Sequence, residues 1–180
     1  MKKNILVIIG SASSDSTNLK LIKALEKIKQ SELNFIIYDE LKSLPHFDPE
    51  ISAKNPPTKI VDFRKLVQNS DGIIICTPEY VFSVPSGLKN AIEWCIITTV
   101  FMNKPCWLIT ASSSGLMGHE ELQRIMKTAM AHFTDETTLL IQGIKSKFDE
   151  HGNLIDLETQ NKLKSFIESF TGLVIKNQSC

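Results

Sequence analysis

The chain has 180 residues, 42% hydrophobic and 22% charged, the size and composition of one globular domain with a proper core. Lys plus Arg equals Asp plus Glu at 20 each, and the basic residues are scattered along the sequence, which argues against nucleic acid or an anionic membrane surface as a partner. No stretch approaches the roughly 18 apolar residues of a membrane span, and "MKKNILVIIG" has too short an apolar run and no small-residue cleavage site for a signal peptide, so a cytoplasmic location is expected.

"NILVIIG" is a continuous apolar run ending in glycine, the mark of a strand covered on both faces. "SDSTNLKLIKALEKIKQ" then switches to helical spacing, with Leu19, Ile22, Leu25 and Ile28 as the expected inner face. "LNFIIYDEL" reads as a second strand, and "PTKIVDFRKLVQN" as a second helix with Ile60, Phe63 and Val67 inward. Between them "DELKSLPHFDPEISAKNPP" exceeds the usual loop length, which points to a functional role or a subunit contact. "DGIIICT" is a third strand, followed by "PEYVFSVPS" and the helix "SGLKNAIEWCII", with Pro85 near its first turn where a missing N–H costs nothing. "KPCWLIT", the helix "GHEELQRIMKTAMAHF", the strand "ETTLLIQG" and a helix from about Asp156 to Phe170 through Leu157, Leu163, Phe166 and Ile167 complete the series.

Five strands alternating with five helices predict an α/β fold, a doubly wound parallel sheet with helices on both faces, because right-handed crossovers must pack each helix back on the sheet. Periodicity does not separate the two common strand orders, but five units at this length suit the order 2-1-3-4-5 within a single domain spanning 1–180. Cys76, Cys95 and Cys106 lie in apolar stretches without metal-ligand spacing and read as buried small hydrophobes in a reducing compartment; Cys180 is expected to be inert. His46, His119, His132 and His151 have no partners at metal spacing, and Trp94 and Trp107 read as packing residues.

Ligands of an open parallel sheet sit outside the carboxyl ends of the strands, so three loops matter. "GSASSDSTN" places Ser11, Ser13, Ser14, Ser16, Thr17 and Asn18 at the start of a helix, where hydroxyls, amides and the helix dipole converge as a phosphate cup. It lacks the lysine of a nucleoside-triphosphate loop and the three glycines of a dinucleotide loop, so a monophosphate fits better. A planar heteroaromatic attached to that phosphate would lie along residues 78 to 83, where a proline-stiffened turn offers backbone groups to a ring edge. The third loop is "TASSSGLMGH".

"GSASSDSTN" and "PEYVFSVPSGLKNAIEW" resemble the NADPH-dependent FMN reductase family of flavodoxin-like proteins, whose patterns are G-S-x-R-x-x-S-x-N and P-E-Y-N-x-S-x-P-x-x-L-K-N-A-I-D-W. "SLPHFDPE" is similar to its L-P-x-[FY] segment, and "ASSSGLMGHEELQ" to its third flavin loop, so the likeness extends over most of the chain. The resemblance implies a flavodoxin-like fold, FMN as cofactor, NADPH or NADH as co-substrate, and hydride transfer to a small acceptor such as a flavin, quinone, azo compound or metal ion. It implies that Ser11, Ser16 and Asn18, with Ser13 and Thr17 beside them, hold the phosphate. Pro78, Glu79, Tyr80 and Ser83, with Val81 and Phe82, would run along the isoalloxazine, and Ser113, Ser114 and Gly115 would close the pyrimidine side. No residue is expected to act as catalytic acid or base, and no metal is expected. The family usually completes the site in a homodimer, sometimes a homotetramer, and the apolar "NAIEWCIITTVFM" suits a buried helix or a subunit interface. Two positions depart from the pattern. Ser13 replaces the phosphate-loop arginine, removing a contact worth about 1.5 to 3 kcal/mol unless Lys20 or a partner subunit substitutes, and Val81 replaces the asparagine of P-E-Y-N.

Two other readings compete. One is an electron carrier or redox sensor of the same fold, which the neutral charge disfavours because carriers are expected to be acidic. The other is a serine hydrolase, with "ASSSG" a loosened nucleophile elbow centred on Ser113, followed by Asp135 or Asp149 and His151.

Overall fold

A computed structural model describes residues 2–13, 15–29 and 31–176, with side chains in the last helix as far as Ser169. Five parallel strands, β1 (Lys3–Ile9), β2 (Leu33–Tyr38), β3 (Gly72–Thr77), β4 (Cys106–Ser112) and β5 (Thr138–Gln142), lie in the expected order β2-β1-β3-β4-β5. The order in which strands are added reverses at β1, which pairs with β2 on one edge and β3 on the other: Val7 faces both Ile37 and Ile74.

Strand side chains alternate between two covered faces, which is why the strands read as continuous apolar runs. Leu6, Ile8, Ile73, Ile75 and Leu108 meet α3 (Thr58–Asn69), α4 (Ser86–Ile96) and α5 (Leu116–Thr128) through Phe63, Leu88, Ile92 and Leu122. Ile5, Val7, Ile9, Ile74 and Ile109 meet α1 (Thr17–Lys29) and α6 (Leu157–Lys176) through Leu21, Ile22, Leu25, Leu163 and Phe166. Trp94 and Trp107 are both buried, as expected of packing residues.

Three details differ from the sequence reading. The inner face of α1 is Asn18, Leu21, Ile22 and Leu25, with Leu19 partly buried and Ile28 exposed, because i, i+3 and i, i+4 neighbours share a helix face and the pattern alone fits either stripe. In α6, Leu157 is exposed, while Leu163, Phe166 and Ile167 are buried. The long connection after β2 is not structureless: it holds a 3-10 turn (Leu41–Ser43) and a sixth helix, α2 (Pro49–Lys54), whose start is fixed by the Asp48 carboxylate accepting from Glu50 N at 2.8 Å, with Pro49 first in the helix. It is fastened to α4, since Pro45 O accepts from Trp94 Nε1 and Asn90 Nδ2, both at 2.9 Å, and Asn90 Oδ1 accepts from Phe47 N at 2.7 Å. The buried Arg64 joins α2 to α4 by donating to Ser52 Oγ and Trp94 O.

Candidate functional site

The strand order brings the loops after β1, β3 and β4 to one edge of the sheet, since β3 lies between the other two strands. Gly10 ends β1 by donating to Cys76 O at 2.8 Å, and a Cβ there would sit 2.2 Å from Thr77 Oγ1, so the first loop starts from a point only glycine can occupy. Ser11 Oγ accepts from Ser13 N at 3.2 Å and lies 3.3 Å from the Tyr80 hydroxyl, which ties the first loop to the second.

Ser16 and Asn18 divide the work at the start of α1. Asn18 is 3% exposed and turned inward: its Nδ2 donates to Ala111 O at 3.2 Å and its Oδ1 lies 3.3 Å from Cys76 Sγ, so it braces α1 against β3 and β4. Ser16 is 4% exposed and its Oγ has no hydrogen-bond partner among the described residues. A buried hydroxyl without a partner is costly, and this one stands where α1 leaves its first amides unsatisfied. That orphaned hydroxyl fits a phosphate oxygen, which is the test the expected FMN must pass at this position. Thr17 opens α1 and Ser13 is exposed, whereas Ser14 lies outside the described residues. Lys20, the candidate substitute for the absent arginine, has its Nζ paired with Asp15 at 2.8 Å.

The second loop is a two-residue turn. Tyr80 N donates to Ser83 O at 2.9 Å and Ser83 N to Tyr80 O at 3.0 Å, with Val81 at φ 52° and Phe82 at φ 59° between them. Both central residues are left-handed, a conformation suited to Asn-Gly and adverse to a β-branched side chain. The asparagine expected at Val81 therefore has a backbone reason, which sequence pattern alone does not reveal. Val81 is 93% and Phe82 74% exposed, so packing does not hold them there.

Two carboxylates hold the second loop against the third. Glu79 accepts from Gly115 N at 3.1 Å and Gly118 N at 2.8 Å, occupying the N-terminal amides of α5. Glu121 reaches back from α5 to accept from Ser83 Oγ at 2.5 Å and Val84 N at 2.8 Å. Burial pushes the Glu121 carboxyl up, but those two hydrogen bonds, with Lys89 and Arg124 nearby, hold it below the ordinary value. Pro78 is buried beneath the turn, Ser113 and Ser114 are exposed, and Gly115 caps α5 at φ 87°. Glu121 is a residue that sequence reasoning missed, because its partners lie 37 and 38 residues away.

Beside Tyr80 opens a cleft of about 320 Å³, lined by Gly10, Ser11, Leu44, His46 and Ser86 among others. His119, on the buried face of α5, has Nδ1 2.9 Å from Thr110 Oγ1 of β4, and burial pushes its imidazole below the ordinary value. The hydrolase constellation is not assembled among the described residues. His151 meets Asp149 through its backbone N–H at 3.0 Å, its ring lies against Glu150, and Ser113 has no histidine partner. Among the described residues no cluster of His, Cys, Asp and Glu could hold a metal ion, and no described helix is long and apolar enough to cross a membrane.

The sequence profile described as NADPH-dependent FMN reductase matches residues 3–143. The chain is 28% identical over 181 residues to a 2-hydroxy-1,4-benzoquinone reductase of Burkholderia sp, covering 97% of each protein. It is 27% identical over 177 residues to a quinone reductase of Escherichia coli K12, covering 94% of each. Among solved structures, the flavoenzyme NAD(P)H:(acceptor) oxidoreductase FerB from Paracoccus denitrificans superposes with a TM-score of 0.79 at 25% identity, covering 97% of this chain and 98% of that one.

Proposed function

We propose, since the chain belongs to the NADPH-dependent FMN reductase family, that its three loops at the carboxyl edge of the sheet hold the FMN with which it oxidises NAD(P)H and reduces a small acceptor. The chain is an FMN-dependent NAD(P)H oxidoreductase of flavodoxin-like fold. When bound, FMN supplies the atom that takes hydride from the nicotinamide and gives it up to the acceptor.

The observation that carries the site is the Ser16 hydroxyl, buried and without a partner among the described residues at the start of α1. In this reading Ser16 Oγ and the first amides of α1 receive the phosphate, with the hydroxyls of Ser11, Ser13 and Thr17 around it. Asn18 acts from behind, positioning α1 through Ala111 and Cys76. Pro78 and the turn from Glu79 to Ser83, including Val81 and Phe82, lie along the ring, and Ser113, Ser114 and Gly115 face its pyrimidine edge. Backbone groups preorganised in this way favour developing negative charge without an acidic or basic side chain. Glu79 and Glu121 fix the distance between the two ring-facing loops.

Quinones and flavins are the proposed acceptors, because relatives are named quinone reductase and NADH-dependent flavin reductase. The carrier reading yields to the reductase reading for the same reason. A single domain, a cytoplasmic location and a homodimer or homotetramer belong to the proposal, the last supported by the exposed apolar side chains of Val81, Phe82, Leu116 and Met117. The decisive experiment follows NAD(P)H oxidation by the FMN-loaded protein with benzoquinone or free flavin. Turnover should require FMN and fall in Ser16→Ala through a higher FMN requirement; turnover without FMN would overturn the assignment.

A further inference from the structure

Lysines that are scattered in the sequence converge in the fold. Lys20, Lys23 and Lys27 recur at helical spacing on α1, a row about 10 Å long. With Lys164 of α6 and His151 they line a groove of about 600 Å³ that no acidic side chain lines. Lys20 is paired with Asp15, but Lys23, Lys27 and Lys164 have no ion pair among the described residues. The groove also has apolar lining, from Ala24, Ile28, Leu154 and Leu163.

Its loop wall is firmly built. The Asp149 carboxylate accepts from His151 N and Asn153 N at 3.0 and 2.7 Å, and Gln160 Nε2 fastens Leu154 O to α6 at 2.7 Å. Gly152, at φ 79°, lies against the Lys20 stem: a Cβ there would meet Lys20 Cδ at 3.5 Å. The groove is thus a shaped concavity rather than a flat solvated face, with a volume suited to a small molecule.

We propose that this groove binds a nucleotide carrying two or more phosphates, its phosphates along the α1 lysines and its base against the apolar lining. Lys23 and Lys27 along α1, with Lys164 across the groove, present more free ammonium groups than a single phosphate can engage, and the apolar residues would be left unused by a bare polyphosphate. The groove shares no lining residue with the cleft beside Tyr80, and its ATP-binding arm does not depend on the flavin reading, on which only the NADPH arm rests. Two sources share this chemistry: the pyrophosphate and adenosine of the nicotinamide co-substrate, or an independent nucleotide effector.

The test titrates ATP into the FMN-loaded protein by calorimetry at low ionic strength, for the unmodified chain and for Lys23→Gln/Lys27→Gln/Lys164→Gln. The three positions are exposed, so the variant should keep its melting temperature and FMN content. ATP should bind the unmodified chain and lose about tenfold or more in affinity in the variant. Competition between ATP and NADPH in turnover, with a raised KM and unchanged kcat for NADPH in the variant, would place the co-substrate's adenosine half in the groove. ATP binding without competition, at unchanged KM, would identify an independent nucleotide. Absence of ATP binding at millimolar concentration, equal affinity in the variant, or inorganic triphosphate binding as tightly as ATP would each overturn the proposal.

Discussion

The Glu79 carboxylate lies 2.8 Å from the Gly118 amide, and a Cβ on Gly118 would stand 3.2 Å from both Glu79 Cβ and Cγ. The contact therefore needs the acid on one loop and the missing side chain on the other. It closes one half of a reciprocal clamp whose other half is Glu121 on Ser83 and Val84.

Replacing Glu79 by Ala leaves the Gly115 and Gly118 amides without their acceptor, as loss of a helix cap does. The expected destabilisation is about 1 to 2 kcal/mol in urea unfolding. Gly118→Ala should weaken the same clamp with Glu79 intact, and a double variant should cost less than the sum of the two because the residues are in contact.

Val81 holds a left-handed backbone with its side chain almost wholly in solvent. Val81→Asn should raise stability by about 1 kcal/mol, because asparagine tolerates this region and valine does not. Unfolding midpoints of Val81→Asn and Val81→Ile measure it, and only the first should rise.

Ser16 and Asn18 should respond in opposite ways. Ser16→Ala removes a buried hydroxyl without a partner among the described residues, so the flavin-free protein should be no less stable, while FMN affinity falls by about tenfold. Asn18→Ala breaks a buried brace and should destabilise the flavin-free protein by about 1 to 3 kcal/mol. Equilibrium unfolding without FMN, beside fluorescence titration with it, separates the two.

Burial lowers the His119 pKa in the folded state, so the unfolded chain binds the proton more readily. The linked stability is fully present above the unfolded value of about 6.5 and declines as pH falls from there toward the folded pKa. His119→Gln should flatten that part of the stability profile relative to the unmodified chain, measured by urea unfolding at steps from pH 7.5 to 5.

Burial pushes the Cys95 thiol up to about 12 and the Cys76 and Cys106 thiols higher still, which keeps thiolate scarce at neutral pH. Iodoacetamide at pH 7.5 should leave all three unmodified in the native protein and alkylate them after denaturation, read site by site by mass spectrometry. Cys180 lies outside the described residues.

Much of the architecture was legible because its signals are local. The runs "NILVIIG" and "DGIIICT" fit strands covered on both faces, and their observed neighbours in a parallel sheet agree. The helix α2 went unread: Asp48 followed by Pro49 is a helix start, but its six residues are too few to show a periodicity. The inner stripe of α1 was ambiguous until α6 packed beside it, and the direction of the Asn18 side chain was fixed by β3 and β4.

What the sequence determined by itself is the alternation of strands and helices, the serine-rich helix start and the stiff turn after β3, because hydrophobic period and turn chemistry act between near neighbours. The tertiary structure decided which polar groups meet. Glu79 reaches amides 36 and 39 residues away, and the Lys20 to Lys27 row acquires Lys164 as its opposite wall, only because the sheet sets β4 beside β3 and packs α6 beside α1. Pairings of that length are set by how whole elements dock, and a spacing pattern along one segment contains no term for them.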